Sequence, residues 1–515
     1  MNNLNVQFDS LQPKAIVNHI QELTSTEVIN HKSILNELKE LLFEIDYEAL
    51  AFPDIIAIKN KLKAVGKESE AEAELRKQLE KFKLTEKHFL VITIDNLLEC
   101  ATVHDWGMCK QHGTIYLFNG CYWSEVDKEL FEKFLSEAAE KMGVGKFTAK
   151  HFTFQDKLFK QFNATAYLQK PEPESNKVLI NLQNGTFEVS GKNSILRPFK
   201  QTDFLTYQLP FKYNPEAKAP MFQAYLDKVL PDVTKQKVLA EYLGYVFMKQ
   251  GNESLKLEKA LILYGSGANG KSVFYEIVNA LLGSQNISSY SLENLTNENG
   301  YYRAKIGNKL VNYASEINGK LESSIFKQLV SGEPVGARLP YGEPFELKDY
   351  AKLIFNCNEL PKDVEHTNAY FRRFFIIPFD VTISAKERDT QLSNKIIKEE
   401  LSGVFNWVLD GLNRLLEQKN FTECEAANTI LNEYRTQSDS VQMFLNENEF
   451  IPTSTEYVLI KELYILYRAY CIEDGCKPLN KTNFIKRLKS INIVVDRNNR
   501  GNIAYLKSDL VLRDV

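Results

Sequence analysis

Residues 265–272 read Gly265-Ser266-Gly267-Ala268-Asn269-Gly270-Lys271-Ser272, the complete G-x-x-x-x-G-K-S pattern of a phosphate-binding loop. Glycines in such a loop let backbone amides surround phosphate oxygens, and the N-terminus of the following helix adds partial positive charge. Lys271 is predicted to reach the β and γ phosphates, and Ser272 is predicted to hold Mg²⁺. The whole loop is therefore a candidate nucleotide site, although the motif alone does not say how the energy is used.

The sequence on both sides of the loop predicts the strand, loop and helix that this motif requires. Residues 260–264 form an apolar run that predicts a buried strand. Apolar residues at helical spacing predict a helix from Ser272 to about Leu282, and Gly283 can end it. A chance glycine-rich loop would lack these neighbours, so the pattern predicts an α/β nucleotide-binding core.

Two further apolar stretches predict strands that end in polar side chains. Residues 309–314 lead into Ser315-Glu316, where a carboxylate can polarise the attacking water and help to place the metal. Many P-loop ATPases carry two acids at this point, and here Ser315 replaces the first, so Glu316 would act alone. Residues 352–357 lead into Asn358, whose amide can orient the water. An Asn that only forms a turn is the alternative for Asn358.

A pair of arginines, Arg372 and Arg373, precedes a fourth apolar stretch at 374–379. A guanidinium presented at a subunit edge can stabilise the transition-state charge of a neighbouring subunit's ATP. The alternative is a solvated pair with no catalytic role. The sequence does not decide which of the two arginines would act.

In their order and compactness these four elements resemble the superfamily 3 helicases of the AAA+ class. The likeness is closest to the helicase part of phage and plasmid primase-helicases and their poxvirus relatives. It covers roughly 110–510, is strongest from 258 to 380, and includes the segment 179–187 and the segment 396–415 with Gly403, Trp407 and Gly411. The resemblance implies an AAA+ P-loop ATPase core that uses ATP and Mg²⁺ at an interface between subunits.

The same resemblance implies a function and a set of partners. It implies a homo-oligomeric ring, expected to be a hexamer. The ring would translocate 3′→5′ on single-stranded DNA and open forked DNA. The implied setting is the replication of a phage, a plasmid or an integrated element. A different class, an ATP switch that loads or holds replication partners without unwinding, stays open. A small-molecule kinase is disfavoured, because nothing resembles a lid or an acceptor site.

The resemblance also implies a DNA-contacting hairpin within 326–343. Tyr341 would lie near its tip with Arg338 close by, and an aromatic ring beside a cation suits contact with bases and sugar-phosphate. Some relatives carry a Lys at the tip, where this chain has Pro340. An ordinary β-hairpin is the alternative.

The remaining sequence predicts a multidomain α/β protein. We expect a helical region at 1–87, an α+β domain at 88–217, a helical collar at 218–257, the ATPase core at 258–385, a helical segment at 386–440 and a winged-helix-like domain at 441–515. The α+β prediction depends on β-like runs at 88–94, 113–123, 177–189 and 203–211, on the turns Asn119-Gly120 and Asn184-Gly185, and on a helix at 126–141. Residues 56–84 read as a solvated helix or, alternatively, a partner-binding coiled coil. Residues 387–418 predict one long amphipathic helix.

Residues 441–515 predict helices followed by a hairpin, the order of a winged helix. Helices are expected at 461–470 and at 481–490, the second capped by Asn480, and apolar runs flank the turn 498–501. Residues 477–500 hold seven Lys or Arg against one acid, Asp496, an imbalance that can act on duplex phosphates. The DNA-binding candidates are Lys481, Lys486, Arg487 and Arg500. A protein-binding winged helix is the alternative.

Composition limits the possible classes of protein. At roughly 150 residues per domain, 515 residues correspond to three or four domains. The net charge of −4 excludes a protein that coats nucleic acid by bulk charge. No stretch approaches the about 18 apolar residues of a membrane span, and the first residues do not resemble a signal peptide. Seven cysteines, a sparse and odd number, suit a reducing compartment, so we expect a cytoplasmic protein without membrane partners.

Two other patterns are weaker. Cys100, His104, Cys109 and His112 are ligand types for zinc, but their spacing fits no known signature. Asp95 stands alone in a β-like run, whereas a primase site needs paired carboxylates. We therefore infer no polymerising site of that type, which leaves a separate primase or polymerase as a candidate partner.

Overall fold

A computed structural model describes residues 31–65, 69–104, 106–111, 114–166, 177–190, 193–249, 255–315, 317, 322–340, 342–361, 365–475 and 477–508. The chain divides into two compact units, Met1–Tyr213 and Asn214–Val515. Both units combine helices with small sheets, which confirms a mixed α/β multidomain protein. No helix of the described ranges is long and apolar enough to cross a membrane.

The first unit is built mainly from helices, most of which share one core. Its most buried side chains include Ile94, Leu97, Leu135 and Phe162. The helices are α1 (His31–Glu40), α2 (Tyr47–Ala51), α3 (Asp54–Ala64), α4 (Glu70–Leu79), α5 (Glu86–Val103), α6 (Lys128–Lys141), α7 (Lys146–Ala149) and α8 (Phe152–Thr165).

The prediction of a β-like run at 88–94 was wrong, because this stretch lies in α5. The β-branched residues of the run favoured a strand locally. Leu90, Ile94, Leu97 and Ala101 are nevertheless buried three or four positions apart, so tertiary packing selects the helical period. Asp95 consequently lies on a helix.

Two antiparallel sheets complete the first unit. Their strands are β1 (Met108–Gln111), β2 (Thr114–Phe118), β3 (Trp123–Glu125), β4 (Val178–Leu182), β5 (Gly185–Ser190) and β6 (Asn193–Arg197). The hairpins predicted at Asn119-Gly120 and Asn184-Gly185 join β2 to β3 and β4 to β5, so both are confirmed. The strand expected at 203–211 was wrong: a 3-10 turn ends at Asp203, and irregular backbone follows it. Within this segment the amide of Leu209 nevertheless donates to Asn181 O, in β4, at 2.8 Å.

The second unit contains a five-stranded parallel sheet with the order β13-β7-β12-β9-β8. All four strands predicted around the loop belong to this sheet. The strands of the unit are β7 (Ala260–Tyr264), β8 (Ile287–Ser288), β9 (Val311–Ala314), β10 (Val335–Arg338), β11 (Pro344–Leu347), β12 (Lys352–Cys357), β13 (Phe374–Pro378), β14 (Ile451–Pro452), β15 (Val458–Leu459), β16 (Val495–Asn498), β17 (Gly501–Ala504) and β18 (Leu506–Lys507).

Helices cover the sheet and extend beyond it. They are α9 (Pro220–Val229), α10 (Val233–Tyr245), α11 (Lys271–Leu282), α12 (Leu292–Thr296), α13 (Tyr301–Ala304), α14 (Ser323–Ser331), α15 (Asn368–Phe371), α16 (Leu392–Glu399), α17 (Leu401–Gln418), α18 (Glu425–Gln437), α19 (Ser440–Glu447), α20 (Ile460–Glu473) and α21 (Lys481–Ser490). A Cβ on Gly411 of α17 would lie 2.3 Å from the carbonyl carbon of Ala240, so this glycine permits close packing against α10.

The single helix predicted at 387–418 was wrong, because Glu400 separates α16 from α17. The carboxylate of Glu400 is buried and accepts the amides of Met221 and Phe222 at 2.9 Å each. A carboxylate at the N-terminus of α9 satisfies unpaired amides there and interacts favourably with the helix dipole. The break therefore fixes α9 to the α16–α17 junction.

The last part of the second unit has its own core, formed by Phe444, Leu463, Tyr467, Phe484 and Leu488. The predicted helices correspond to α20 and α21, and the hairpin β16–β17 follows them, as expected. The order of helices and hairpin is confirmed, and the specific assignment as a winged helix stays a prediction.

Candidate nucleotide site

The phosphate-binding loop joins β7 to α11 at the carboxyl end of the parallel sheet. Gly267 and Gly270 have φ values of 104° and 92°, in the left-handed region that glycine adopts without strain. A Cβ on Gly270 would lie 2.8 Å from Val229 Cγ1, and one on Gly265 would lie 2.3 Å from Asn269 Nδ2. Conformation therefore requires glycine at 267, space requires it at 265, and both require it at 270.

Lys271 lies folded against its own loop. Its Nζ donates to Gly265 O at 2.5 Å and to Asn269 Oδ1 at 3.2 Å. The side chain is buried, and this burial lowers the pKa of the ammonium below its ordinary value. An anionic phosphate in the loop would compensate for that desolvation. The ammonium of Lys271 therefore lies where it would interact strongly with a bound phosphate.

Asn269 and Tyr225 fix the loop to its surroundings. Asn269 Nδ2 donates to Phe379 O at 3.1 Å, just beyond the end of β13, and Tyr225 OH donates to Gly270 O at 2.8 Å. Burial raises the pKa of Tyr225 far above its usual range, so this phenol stays protonated and can donate. Helix α9 therefore contributes directly to the geometry of the loop.

A pocket of about 800 Å³ opens beside the loop. A volume of this size is typical of a small-molecule site, and ligands of open α/β sheets bind beyond the carboxyl ends of the strands. Its polar lining includes Lys271, Ser272, Ser315, Asn356 and Asn358. Its apolar lining includes Met221, Ala224, Tyr225, Val229, Ile383 and Leu392. The arrangement provides polar groups for phosphates and an apolar area for a base.

The structure brings most of the predicted nucleotide residues together. Lys271, Ser272 and Asn358 line the same pocket, together with Gly267, Ala268, Asn269 and Gly270 of the loop. Glu316 lies outside the described residues, although its neighbour Ser315 lines the pocket. The exposed Ser272 hydroxyl is an oxygen ligand of the type that Mg²⁺ accepts together with substrate phosphates and water. The residues present therefore fit a nucleotide with Mg²⁺.

Several pocket residues were missed by the sequence analysis. Tyr225 lies on α9, and Arg388 follows a 3-10 turn just before α16, both outside the 258–385 core. Asn356 lies within β12, where its Oδ1 accepts from Tyr313 OH at 3.1 Å. The polar Asn356 among the apolar residues at the end of β12 was the one available signal. Nothing in the local sequence distinguishes Tyr225 or Arg388 from other residues of amphipathic or exposed segments.

The two arginines differ sharply in their environments. The Arg373 side chain is 9% exposed, and it donates to Ser331 Oγ at 2.8 Å and to Ala369 O at 2.5 Å. The Arg372 side chain is 58% exposed and forms an ion pair with Glu258 at 3.2 Å. Arg373 thus has the contacts of a structural residue, while Arg372 has the exposure that contact with another molecule requires.

Both arginines lie at the opposite edge of the sheet from the phosphate-binding loop. Phe374 pairs with Ala260 and Pro378 pairs with Tyr264, so β13 and β7 run parallel and in step. The arginines precede β13, whereas the loop follows β7. Five residues at about 3.3 Å each separate the two edges by roughly 15 Å, so neither arginine can reach the pocket of its own chain.

The predicted DNA-binding residues fall into three groups. Arg338 is exposed on β10 and its Nε donates to Gly342 O at 2.9 Å, while Tyr341 lies outside the described residues. Lys481, Lys486 and Arg500 are exposed. The prediction for Arg487 needs correction, because its Nε donates to the buried Asp439 at 2.7 Å. Asp439 also accepts the amide of Val441 at the start of α19, so Arg487 joins α21 to that helix as a structural ion pair.

No group of metal-ligating side chains forms within the described parts of the chain. Cys109 is buried on β1, and burial raises the pKa of the Cys100 thiol on α5. His112 lies outside the described residues, as does Cys476. The possible zinc site at 100–112 therefore gains no support among the described residues.

Three family models match separate parts of the chain. They are "D5 N terminal like" at residues 97–231, a family of unknown function at 263–373 and "Poxvirus D5 protein-like" at 436–508. The second of these matches begins just before the phosphate-binding loop and ends at Arg373. The matches therefore cover the phosphate-binding loop, most of the residues that line the pocket, and segments on both sides of the loop.

Two curated relatives carry helicase names. A helicase-named protein of Acanthamoeba polyphaga mimivirus is 25% identical over 260 residues, which are 47% of this chain and 26% of the relative. A helicase-named protein of Invertebrate iridescent virus 3 is 22% identical over 365 residues, which are 62% of this chain and 38% of the relative. The chain thus spans between a quarter and two fifths of the length of these relatives.

The solved structures that are similar include an apo form of the NrS-1 C-terminal region. It shares 14% identity at a TM-score of 0.46, and the match covers 81% of this chain and 99% of that chain. A second apo form of the same region has a TM-score of 0.45.

Proposed function

Since the models "D5 N terminal like" and "Poxvirus D5 protein-like" match two parts of the chain, we propose that it is an ATP-driven, ring-forming DNA helicase of superfamily 3. Its AAA+ core would hydrolyse ATP between subunits and move on single-stranded DNA. The observation that carries the proposal is the placement of pocket and arginine at opposite edges of one sheet. A subunit with this layout offers ATP at one edge and a guanidinium at the other, as a ring of identical subunits requires.

Each predicted nucleotide residue has a proposed task. The amides of the loop and Lys271 bind the triphosphate, and Ser272 and Glu316 would hold Mg²⁺. The metal, when bound, neutralises charge on the phosphate oxygens. Asn358 follows β12, lines the same pocket as Lys271 and can orient the attacking water. Glu316 is proposed to polarise that water.

Arg372 of the adjacent subunit is proposed to complete the site. Its exposed guanidinium would approach the γ-phosphate of the neighbour and stabilise charge in the transition state. Arg373 would hold Arg372 in position, since the contacts of Arg373 with Ser331 and Ala369 fix the backbone that precedes β13. The proposed finger is therefore Arg372.

The hairpin β10–β11 is the proposed DNA contact of the core. Val335 and Ala337 are buried and alternate with exposed positions, so Arg338 points away from the core. The hairpin follows α14, whose Ser331 is bound by Arg373. A displacement of Arg373 would therefore be transmitted to the hairpin through Ser331 and α14.

The test measures ATP hydrolysis and strand separation by the purified chain on a forked DNA. We expect hydrolysis that DNA stimulates, and strand separation that depends on ATP. Hydrolysis stimulated by DNA without any strand separation would favour an ATP switch that loads or holds partners. Absence of hydrolysis under both conditions would contradict the proposal.

A further inference from the structure

Two exposed aromatic side chains flank the turn between α7 and α8 in the first unit: Phe147 lies in α7, and Phe152 is the first residue of α8. Phe147 is 91% exposed and Phe152 is 77% exposed, the highest values among the large apolar side chains of the described residues. Exposed phenylalanine rings of this kind lose contact with water only when another molecule covers them. The two residues are five positions apart in the sequence, one on each side of the turn at residues 150–151.

The residues on both sides of this turn pack into the core of the first unit. Ala149, Phe154 and Leu158 are buried between and beyond the exposed rings. The amide of Thr153 donates to His151 Nδ1 at 3.3 Å, so His151 caps the N-terminus of α8. The His151 ring lies against the Phe152 ring at 4.8 Å between centroids and 30° between planes. The exposed rings are thus presented on an ordered support.

Positive charge accompanies the rings. Lys146 precedes Phe147, Lys150 precedes His151, and residues 145–155 contain no Asp or Glu. Lys150 forms an ion pair with Glu140 at 3.2 Å, and among the described residues no ion pair involves Lys146. Lysine is depleted in the cores of protein interfaces, whereas alternating rings and cations are typical of single-strand binding.

We propose that Lys146, Phe147, Lys150, His151 and Phe152 form a binding surface for single-stranded nucleic acid, which we call the Phe147–Phe152 platform. Bases would stack on the exposed rings, and the lysines would contact the phosphates. The platform lies in the first unit, away from the ATP site and from the β10–β11 hairpin in sequence. It therefore adds a strand-binding surface that does not depend on ATP hydrolysis.

The first test measures the affinity of the whole chain for a fluorescent oligothymidylate by anisotropy, without nucleotide. Replacing both rings, in Phe147→Ala/Phe152→Ala, should weaken binding about 30-fold or more. Phe43→Ala is the matched control, because Phe43 is 74% exposed in the same unit and lies outside the platform. It should leave the affinity unchanged. Phe147→Trp should retain binding.

The second test maps contacts directly, so that strong binding elsewhere does not hide the platform. An oligonucleotide with photoreactive thymidines is irradiated with the chain, and the attached peptides are identified by mass spectrometry. We expect attachment within 146–157. Attachment only elsewhere, together with unchanged affinity of the double variant, would overturn the proposal. Loss of self-association instead of strand binding in the double variant would assign the surface to protein contact and also overturn it.

Discussion

Replacing Arg372 and Arg373 with alanine, one at a time, should produce two different defects. The Arg372 side chain is largely exposed and has one ion pair, with Glu258 at 3.2 Å, so its loss should cost at most about 1 kcal/mol of stability. If Arg372 stabilises the transition state in the neighbouring site, Arg372→Ala should lower kcat at least about 10³-fold while ATP binding is retained.

Arg373→Ala should instead destabilise the fold. The guanidinium donates to Ser331 Oγ and Ala369 O, and it lies 3.5 Å from Glu258, with 9% of its side chain exposed. Two net hydrogen bonds at about 1 kcal/mol each, plus a partner carboxylate left poorly compensated, give roughly 3 kcal/mol. For a unit of this size we expect the melting temperature to fall by roughly 5–10 °C.

The assay combines thermal unfolding with steady-state ATP hydrolysis and fluorescent-nucleotide binding. Arg372→Lys serves as the matched variant, because it keeps the charge but not the forked geometry, and it should recover little of the lost turnover. The reasoning would be refuted if Arg372→Ala hydrolysed ATP normally. It would also be refuted if Arg373→Ala were as stable as the original chain.

Three further predictions concern the second unit. Lys271→Ala should reduce ATP hydrolysis to background with an unchanged circular dichroism spectrum, and normal turnover would remove the loop from the mechanism. Glu400→Ala leaves two amides of α9 unpaired, so it should cost about 3 kcal/mol and raise the KM for ATP, whereas exposed Glu399→Ala should do neither. Hydrogen bonds from Ser323 and Lys327 lower the pKa of Glu365 from 4.5 to about 2. Its stabilisation, about 2 kcal/mol after allowance for exposure, should therefore be complete above pH 4.5 and disappear as the pH falls towards 2. Urea unfolding of Glu365→Gln across that range measures it, and a constant difference at all pH values would contradict it.

The parts of the site that the sequence predicted are those that local chemistry determines. The glycines at 267 and 270 are required by the backbone conformation of the loop itself, and the apolar strands beside it are buried on both faces. Residues at the ends of parallel strands, such as Asn358, are brought together by the order of the strands. Their meeting in one pocket therefore follows from a pattern that is visible in the chain.

The parts that the sequence could not predict depend on tertiary contacts. Arg372 and Arg373 are chemically identical neighbours, and only the packing of Ser331 and Ala369 makes one of them structural. Arg487 resembled other basic residues of α21 until its pairing with Asp439 was known. Similarly, α5 contains a β-branched run that favours a strand locally, and its helix is selected by burial of one face.

The contribution of α9 to the pocket is the most important feature that the sequence did not predict. Tyr225 holds the Gly270 carbonyl, and Glu400 fixes the start of the helix from a distant part of the chain. Such a contact between 221 and 400 leaves no trace in a single sequence, since neither residue belongs to a motif.

The most direct measurement concerns shared sites between subunits. Lys271→Ala and Arg372→Ala chains, each inactive alone, are expressed together and purified as mixed assemblies. At equal amounts about one quarter of the interfaces would combine an intact Lys271 with an intact Arg372, so ATP hydrolysis should return to about one quarter of the original. Mixed assemblies that hydrolyse no more ATP than the two separate variants, at every ratio of the chains, would contradict catalysis between subunits.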